Sequence, residues 1–422
     1  MRTSVLCRSF ALLALALPAA APAETLEEIV NACVAEACSG LDLNKVDGLT
    51  SVPKGLGGLW HVDRLRLSRL DGLTDVSGVA QMPWLETVDA SGTPLTDVSV
   101  FGTMPRLEEL WMVDTPVSDL SAISGAATLK GLYISRTPVA DLSPLASLPA
   151  LRQLDVSRTP VSDIGPLAEI GALNRLDIGN TAVSDLGPLK GMAGLERLVL
   201  GGVPATDYSA LAGLASLDEL ILWDTPTFND LAPLAGLRSL RRLDVNDTGI
   251  SDLSPLAEVT SLEDLDVSGT GVSDLSPIAG LLGLRRLTIM DLAVTDLSPL
   301  AGLGKLESLT ADNSPITDIS ALAPLTLLRR VDLDGTPVSD LSPLAGKTTI
   351  TDLSLRRMPN LTDISAVASL TGLKNIDLTE TAVADLSPLF GLPELRQVRL
   401  GDDRAAPADQ VATLEAAGVQ VR

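Results

Sequence analysis

Aspartate is the residue this chain places most regularly. It recurs at Asp75, Asp97, Asp119, Asp141, Asp163, Asp185, Asp207, Asp230, Asp252, Asp274, Asp296, Asp318, Asp340, Asp363 and Asp385, in steps of 22 residues except the two of 23 that end at Asp230 and Asp363. A file of carboxylates suggests calcium first. Calcium sites, however, gather carboxylates and carbonyls from several nearby positions, and here each step offers one acid. The flanks, as in Ser251-Asp252-Leu253, suit the cap of a helical turn. Asp119, Asp141, Asp163, Asp185, Asp252, Asp274, Asp296 and Asp340 are therefore read as structural turn residues. Whether the Asp or the Ser two residues on is the formal cap stays open.

Other residues able to do chemistry are few. The chain has one histidine, His61, and three cysteines, Cys7, Cys33 and Cys38. A catalytic histidine needs an orienting partner and a nucleophile or metal, and no motif places one with His61, which reads as a surface or cap residue. Gly55-Leu56-Gly57-Gly58 lacks the Lys-Ser/Thr ending and strand-to-helix setting of a phosphate loop. Two thiols and one distant histidine make a poor metal site. No catalytic residue, metal or cofactor is expected, and the chain does not read as an enzyme. Cys33 and Cys38 are expected to form a disulfide, as the even pair left in an exported protein once Cys7 is removed. Residues five apart in an unbroken helix are roughly 7.5 Å apart along its axis, beyond the usual disulfide Cα spacing of about 4.4–6.8 Å. The helix suggested by Glu24–Ala32 must then unwind near Cys33.

The elements that position these residues are copies of one phrase. Leu240–Pro255 reads L-R-R-L-D-V-N-D-T-G-I-S-D-L-S-P and Leu262–Pro277 reads L-E-D-L-D-V-S-G-T-G-V-S-D-L-S-P. Self-similarity at this period means a solenoid. The alternation in Leu154-Asp155-Val156 predicts a short strand with one buried face, and stacked strands pair into a parallel sheet. Val161–Leu167 turns the chain and lays a short helical or 3₁₀ segment on the opposite side, with Pro suited to its first turn. About seven aliphatics per repeat yield roughly 10–20 kcal/mol if fully buried. Ordering the backbone of such a unit costs about 1–2 kcal/mol per residue, so a single repeat cannot fold alone.

The phrase L-x-x-L-x-L-x-x-T-x-V-S-D-L-x-P-L closely resembles the leucine-rich repeat, in the 22-residue form typical of bacterial internalins, over roughly Leu41 to Leu400. The expected fold class is α/β: a leucine-rich repeat solenoid with a curved parallel sheet on the concave face and short helical or 3₁₀ turns on the convex face. Where that family usually has Asn, this chain has Thr93, Thr115, Thr137, Thr159, Thr181, Thr248, Thr270, Thr336 and Thr381. A hydroxyl has fewer donors and acceptors than an amide, so the ladder between neighbouring turns should be weaker per rung. The resemblance implies adhesion or host contact for some relatives. Neither a cell-wall sorting tail nor an appended Ig-like domain is visible, which fits a periplasmic or freely secreted protein.

Four segments are expected. Residues 1–23 carry Arg2 and Arg8, an apolar run at Phe10–Leu17 and Ala21-Pro22-Ala23, the pattern of a cleaved signal peptide; the alternative, a membrane anchor, falls short of the ~20 apolar residues a span needs. Residues 24–40 form a helical cap on the solenoid's open end, 41–400 the repeats, and 401–422 a C-terminal cap with a helix over Asp409–Ala417 and a strand at Val419–Val421. The formal net charge is −23 from 31 basic and 54 acidic residues; losing Arg2 and Arg8 leaves 29 against 54, or −25. That excess argues against nucleic acid and anionic lipid.

Outward strand positions form the surface a partner would meet. Trp111, Val113 and Tyr133 are expected to cluster there on adjacent turns, as are Val199, Ile221 and Trp223. Exposed aromatics are favoured anchors. Before the strands, Arg241-Arg242, Glu263-Asp264, Arg285-Arg286, Glu307-Ser308 and Arg329-Arg330 alternate in sign, a register and solubility device across strands roughly 4.8 Å apart. Asp244, Asp247, Asp266, Asp291, Asp312, Asp332 and Asp334 make the later repeats acidic, open to a basic partner or a cation. The expected protein is an exported, monomeric, non-enzymatic scaffold that binds an unidentified protein ligand through its concave face. The alternative is a polysaccharide-binding or cation-assisted structural scaffold of the cell envelope; an inhibitor of an exported enzyme is a third option.

Overall fold

The structure, a computed structural model, describes residues 25–401 and 406–422. The segment read as a signal peptide lies outside the described residues. Eighteen short strands, from Gly40–Asp42 to Gln420–Val421, form one parallel sheet in chain order. Their register is strict: Leu110, Leu132, Leu154 and Leu176 are direct partners on successive strands. These leucines are buried, and the residues on either side of each face outward, as the two-residue strand period requires. Sixteen 3₁₀ segments line the other side, from Lys54–Gly58 to Ser387–Leu389. Three to five residues are enough for one tight i→i+3 turn, such as Leu145 N–H to Leu142 C=O at 3.0 Å. Nine of the segments carry Pro in their first two positions.

Between these two layers runs a continuous aliphatic core. The two 23-residue repeats keep the strand register, since Leu220 pairs with Leu243 and Leu353 with Ile376. Their extra residue lies in the turn after the strand, where Phe228 and Leu361 are fully buried. Nine repeats also close their own turn through a side chain, whereas Ser314 at the same position donates to Ile289 of the preceding coil at 2.9 Å. All nine column threonines donate Oγ1 to the carbonyl three residues back, at 2.6–2.8 Å. This corrects the expected ladder: these hydroxyls bond within a coil, because a side chain this short reaches its own turn before its neighbour's.

A helix stands at each end of the solenoid. Helix α1 (Leu26–Glu36) starts with a capping box in which the Thr25 hydroxyl and Glu28 backbone N–H bond, and the Glu28 carboxylate takes the Thr25 N–H at 2.8 Å. Glu27 and Glu28 sit in the first turn, where the helix dipole favours negative charge. The Cys33–Cys38 disulfide is present, with a Cα separation of 4.9 Å. The helix does not unwind at Cys33, contrary to expectation. It continues to Glu36, and Ala37 at φ 50° then folds Cys38 back, its N–H bonding the Cys33 carbonyl at 3.0 Å. At the far end, helix α2 (Ala408–Ala416) precedes a last strand that pairs with Gln397–Val398.

Candidate binding face

The regular aspartates are turn residues in every repeat. All fifteen accept the backbone N–H of the residue two positions on, at 2.7–2.9 Å. In fourteen of the fifteen that N–H belongs to the first residue of the 3₁₀ segment; at Asp97 it is Ser99, two residues before the segment Phe101–Thr103. The formal cap is therefore the apolar residue between, such as Leu142 or Leu253, which has no side-chain cap bond. In Asp141, Asp274 and Asp340 the second oxygen also takes the Ser hydroxyl. The donated backbone N–H, then the Ser, hold Asp119, Asp141, Asp274 and Asp340 below the ordinary carboxylate range.

On the sheet's outward face, Trp111 and Tyr133 are register partners. Their rings stack with centroids 4.8 Å apart and planes 4° from parallel. The Tyr133 hydroxyl donates to Gln153 Oε1 at 2.7 Å. Gly131 leaves room for this ring, because a Cβ there would lie 3.1 Å from Tyr133 Cε2. Both aromatics and Val113 are half-buried. Beside Trp111 opens a hollow of about 400 Å³ lined by Arg64, Arg66, Thr87, Asp89 and Ser91, with Arg66 reaching Asp42 at 3.4 Å.

The second expected cluster is only partly exposed. Ile221 and Trp223 are half-buried, but Val199 is 5 % exposed and buried, which corrects its place among the contact residues. Trp223 lies across Gly201, where an added Cβ would sit 2.4 Å from the indole. Val199 lies between Asp177 and Ile221 in the register. Trp223 fills the gap that Gly201 leaves in the preceding coil, whereas Val199 is buried between its register neighbours.

The alternating charges do meet. Arg241 reaches Glu263 at 2.9 Å, Arg285 reaches Glu307 at 2.6 Å, and Asp264 holds both Arg242 at 3.3 Å and Arg286 at 2.9 Å. Glu219 extends the line by binding Arg197 and Arg242. Most of the acidic later repeats are also internally engaged. Asp244 and Asp266 accept backbone N–H groups two residues on, Asp332 takes Arg330, Asp312 takes the Asp334 N–H, and Asp334 takes Ser354 and Arg356. Burial, with Asp334 and Asp332 nearby, pushes Asp312 up to about 6; burial also lifts Asp177 to about 6.

Among the described residues, the group of three metal-ligand side chains that converges is Cys33, Cys38 and His61, with ligand atoms within 4.8 Å of one another. The sequence reading of a distant histidine is thus corrected: stacking the first repeat on α1 brings His61 to the disulfide.

A structure of an internalin from Listeria monocytogenes matches 80% of this chain and 86% of its own, at 25% identity and a TM-score of 0.50. The chain is an internalin-like leucine-rich repeat protein. A leucine-rich repeat protein of Leptospira interrogans covers more of this solenoid, 94% against 99% of its own chain, with a TM-score of 0.66 and 15% identity. The TLR13–ssRNA13 complex shares the fold at 19% identity and a TM-score of 0.60, over 87% of this leucine-rich repeat chain and 64% of its own. No protein-family model and no curated protein matches the sequence. Among the described residues no helix is long and apolar enough to cross a membrane.

Proposed function

We propose that this solenoid is an exported, non-enzymatic scaffold that binds a protein ligand through the concave sheet face, acting as a monomer in the periplasm or outside the cell. The observation that carries the reading is the stacked Trp111–Tyr133 pair, half-exposed beside the hollow lined by Arg64, Arg66 and Asp89. An amphipathic aromatic pair with flanking charges is the composition of a binding hot spot. Val113, Ile221 and Trp223 extend the surface; Val199 supports it from below. Export rests on the sequence pattern of residues 1–23. RNA, the ligand in the TLR13 complex, is not carried over, because a net charge of −23 repels a polyanion.

The test is capture from envelope and culture fractions with the chain lacking residues 1–23, against Trp111→Ala and Tyr133→Ala. A discrete protein retained by the wild type and lost from both variants is the expected result. Loss of glycan binding with protein capture unchanged would move the reading to the polysaccharide scaffold.

A further inference from the structure

The N-terminal cap holds a set of donors that neither the solenoid nor the binding face uses. Cys33 lies on the last turn of α1 and Cys38 just past the left-handed Ala37. His61 comes from the turn before the Arg64–Arg66 strand, pinned by Val62 N–H to Leu59 C=O at 3.0 Å. A ring nitrogen of His61 and both sulfurs fall within 4.8 Å of one another. The His61 Nε2 is buried and has no hydrogen-bond partner, whereas buried polar atoms nearly always have one. Trp60, 76 % exposed, packs its ring edge-to-face against the imidazole at 5.9 Å.

We propose that Cys33, Cys38 and His61 form a binding site for a thiophilic cation of the Zn²⁺ class when the disulfide is reduced. Two thiolates and one imidazole are a recognised zinc donor set, leaving a fourth position for water. Zinc–ligand bonds of about 2.0–2.3 Å put tetrahedral donor atoms roughly 3.5 Å apart, so the imidazole must close by about 1 Å while the sulfurs separate. An external dithiol supplies two electrons and two protons, becoming a disulfide as the Cys33–Cys38 bond becomes two thiols. Zn²⁺ then displaces both thiol protons to solvent and takes the imidazole lone pair. The disulfide joins residues only five apart. The cation would instead tie α1 to the first regular repeat, so reduction exchanges a local link for one between cap and solenoid.

The experiment uses the full mature chain, reduced with a phosphine without oxygen and titrated with Zn²⁺ against a chromophoric chelator, with Co²⁺ as spectroscopic reporter. One Zn²⁺ per reduced chain, none for the oxidised chain, and sulfur-to-cobalt charge-transfer bands are expected. Loss of an outer-shell partner alone costs roughly 10–100-fold in metal affinity. His61→Ala should therefore weaken binding at least ~10-fold and shift the Co²⁺ spectrum, while Cys33→Ser with Cys38→Ser removes the bands. Circular dichroism checks that each variant folds, and His61→Gln, which keeps the side chain's bulk, repeats the ligand test. Equal binding by the oxidised chain or the double-serine variant would mean an adventitious ion only. Affinity and spectrum unchanged in both His61 variants also overturns the proposal, as does a reduced cap whose α1 amides exchange freely with Zn²⁺ present. None of these outcomes bears on the concave face.

Discussion

Asp177 lies beside Val199 in the parallel register, and its carboxylate crowds the space above Gly179, where an added Cβ would sit 3.2 Å from Oδ1. The carboxyl keeps one bond, from the Gly179 N–H at 2.9 Å. Burial outweighs that bond, and with Asp155 on the other side the group is lifted to about 6.

That displacement has a definite sign. The folded chain holds this proton more tightly than the unfolded chain, whose carboxyl has the ordinary value of 3.8. Between about pH 4 and 6 Asp177 therefore makes stability fall as pH rises. Asp177→Asn keeps an acceptor for Gly179 and removes the charge. It should raise stability at pH 7.5 by about 1–3 kcal/mol and change little at pH 4, as read by urea unfolding at both. Equal destabilisation at both pH values would show that the charge is not the cause.

The turn aspartates act in the opposite direction. With the carboxyls of Asp141, Asp274 and Asp340 held low by backbone N–H groups, their contribution is complete above the ordinary carboxylate range and is lost as pH falls through the lowered values. Asp163→Ala, which strips the acceptor from the Gly165 N–H, should destabilise by about 1 kcal/mol; Asp163→Asn should recover most of it. Amide exchange at Gly165 reports the change locally.

Glu219 joins two coils by binding Arg197 and Arg242, and is itself only 9 % exposed. Glu219→Gln should cost about 1–2 kcal/mol, more than an exposed pair such as Arg106–Glu86, where about 0–1 kcal/mol is typical. Urea midpoints in low and high salt separate the two, because the exposed pair is the more strongly screened.

Glycines decide where the aromatics lie. Gly201→Ala places a methyl in the Trp223 indole, so the ring must leave its bed, at about 1–3 kcal/mol. A red-shifted tryptophan emission with retained circular dichroism is the expected signature. Gly131→Ala should tilt Tyr133 away from Trp111 more gently, lowering ligand capture without removing an aromatic group.

The period, the strand and turn positions and the Trp111–Tyr133 pairing were all legible, because a fixed repeat turns sequence offset into spatial adjacency. Hydrogen-bond partners were less so. A threonine in a column looks the same whether its hydroxyl bonds Ile134 within the coil, as Thr137 does, or the next coil. Val199 misled because exposure depends on what flanks a residue as well as on its strand parity. His61 was invisible as a neighbour of Cys33, since the cap breaks the period. One partial signal was present and unread: the residue before the threonine column is left-handed, and Gly92, Asp114, Asn180, Asp247, Gly269 and Gly335, the types that tolerate that conformation best, occupy it in six of the nine repeats, with Arg136, Arg158 and Glu380 in the other three.

The threonine and aspartate bonds that stay inside each coil bear on how such a chain changes over generations. Because these side-chain bonds close within the coil and every strand meets its neighbours in one register, a unit can be duplicated or deleted as a cassette and the coils on either side pair again. Length, and with it the number of outward side chains on offer, is then open to revision by recombination, whereas the ends, with their disulfide and their helices, must be inherited whole.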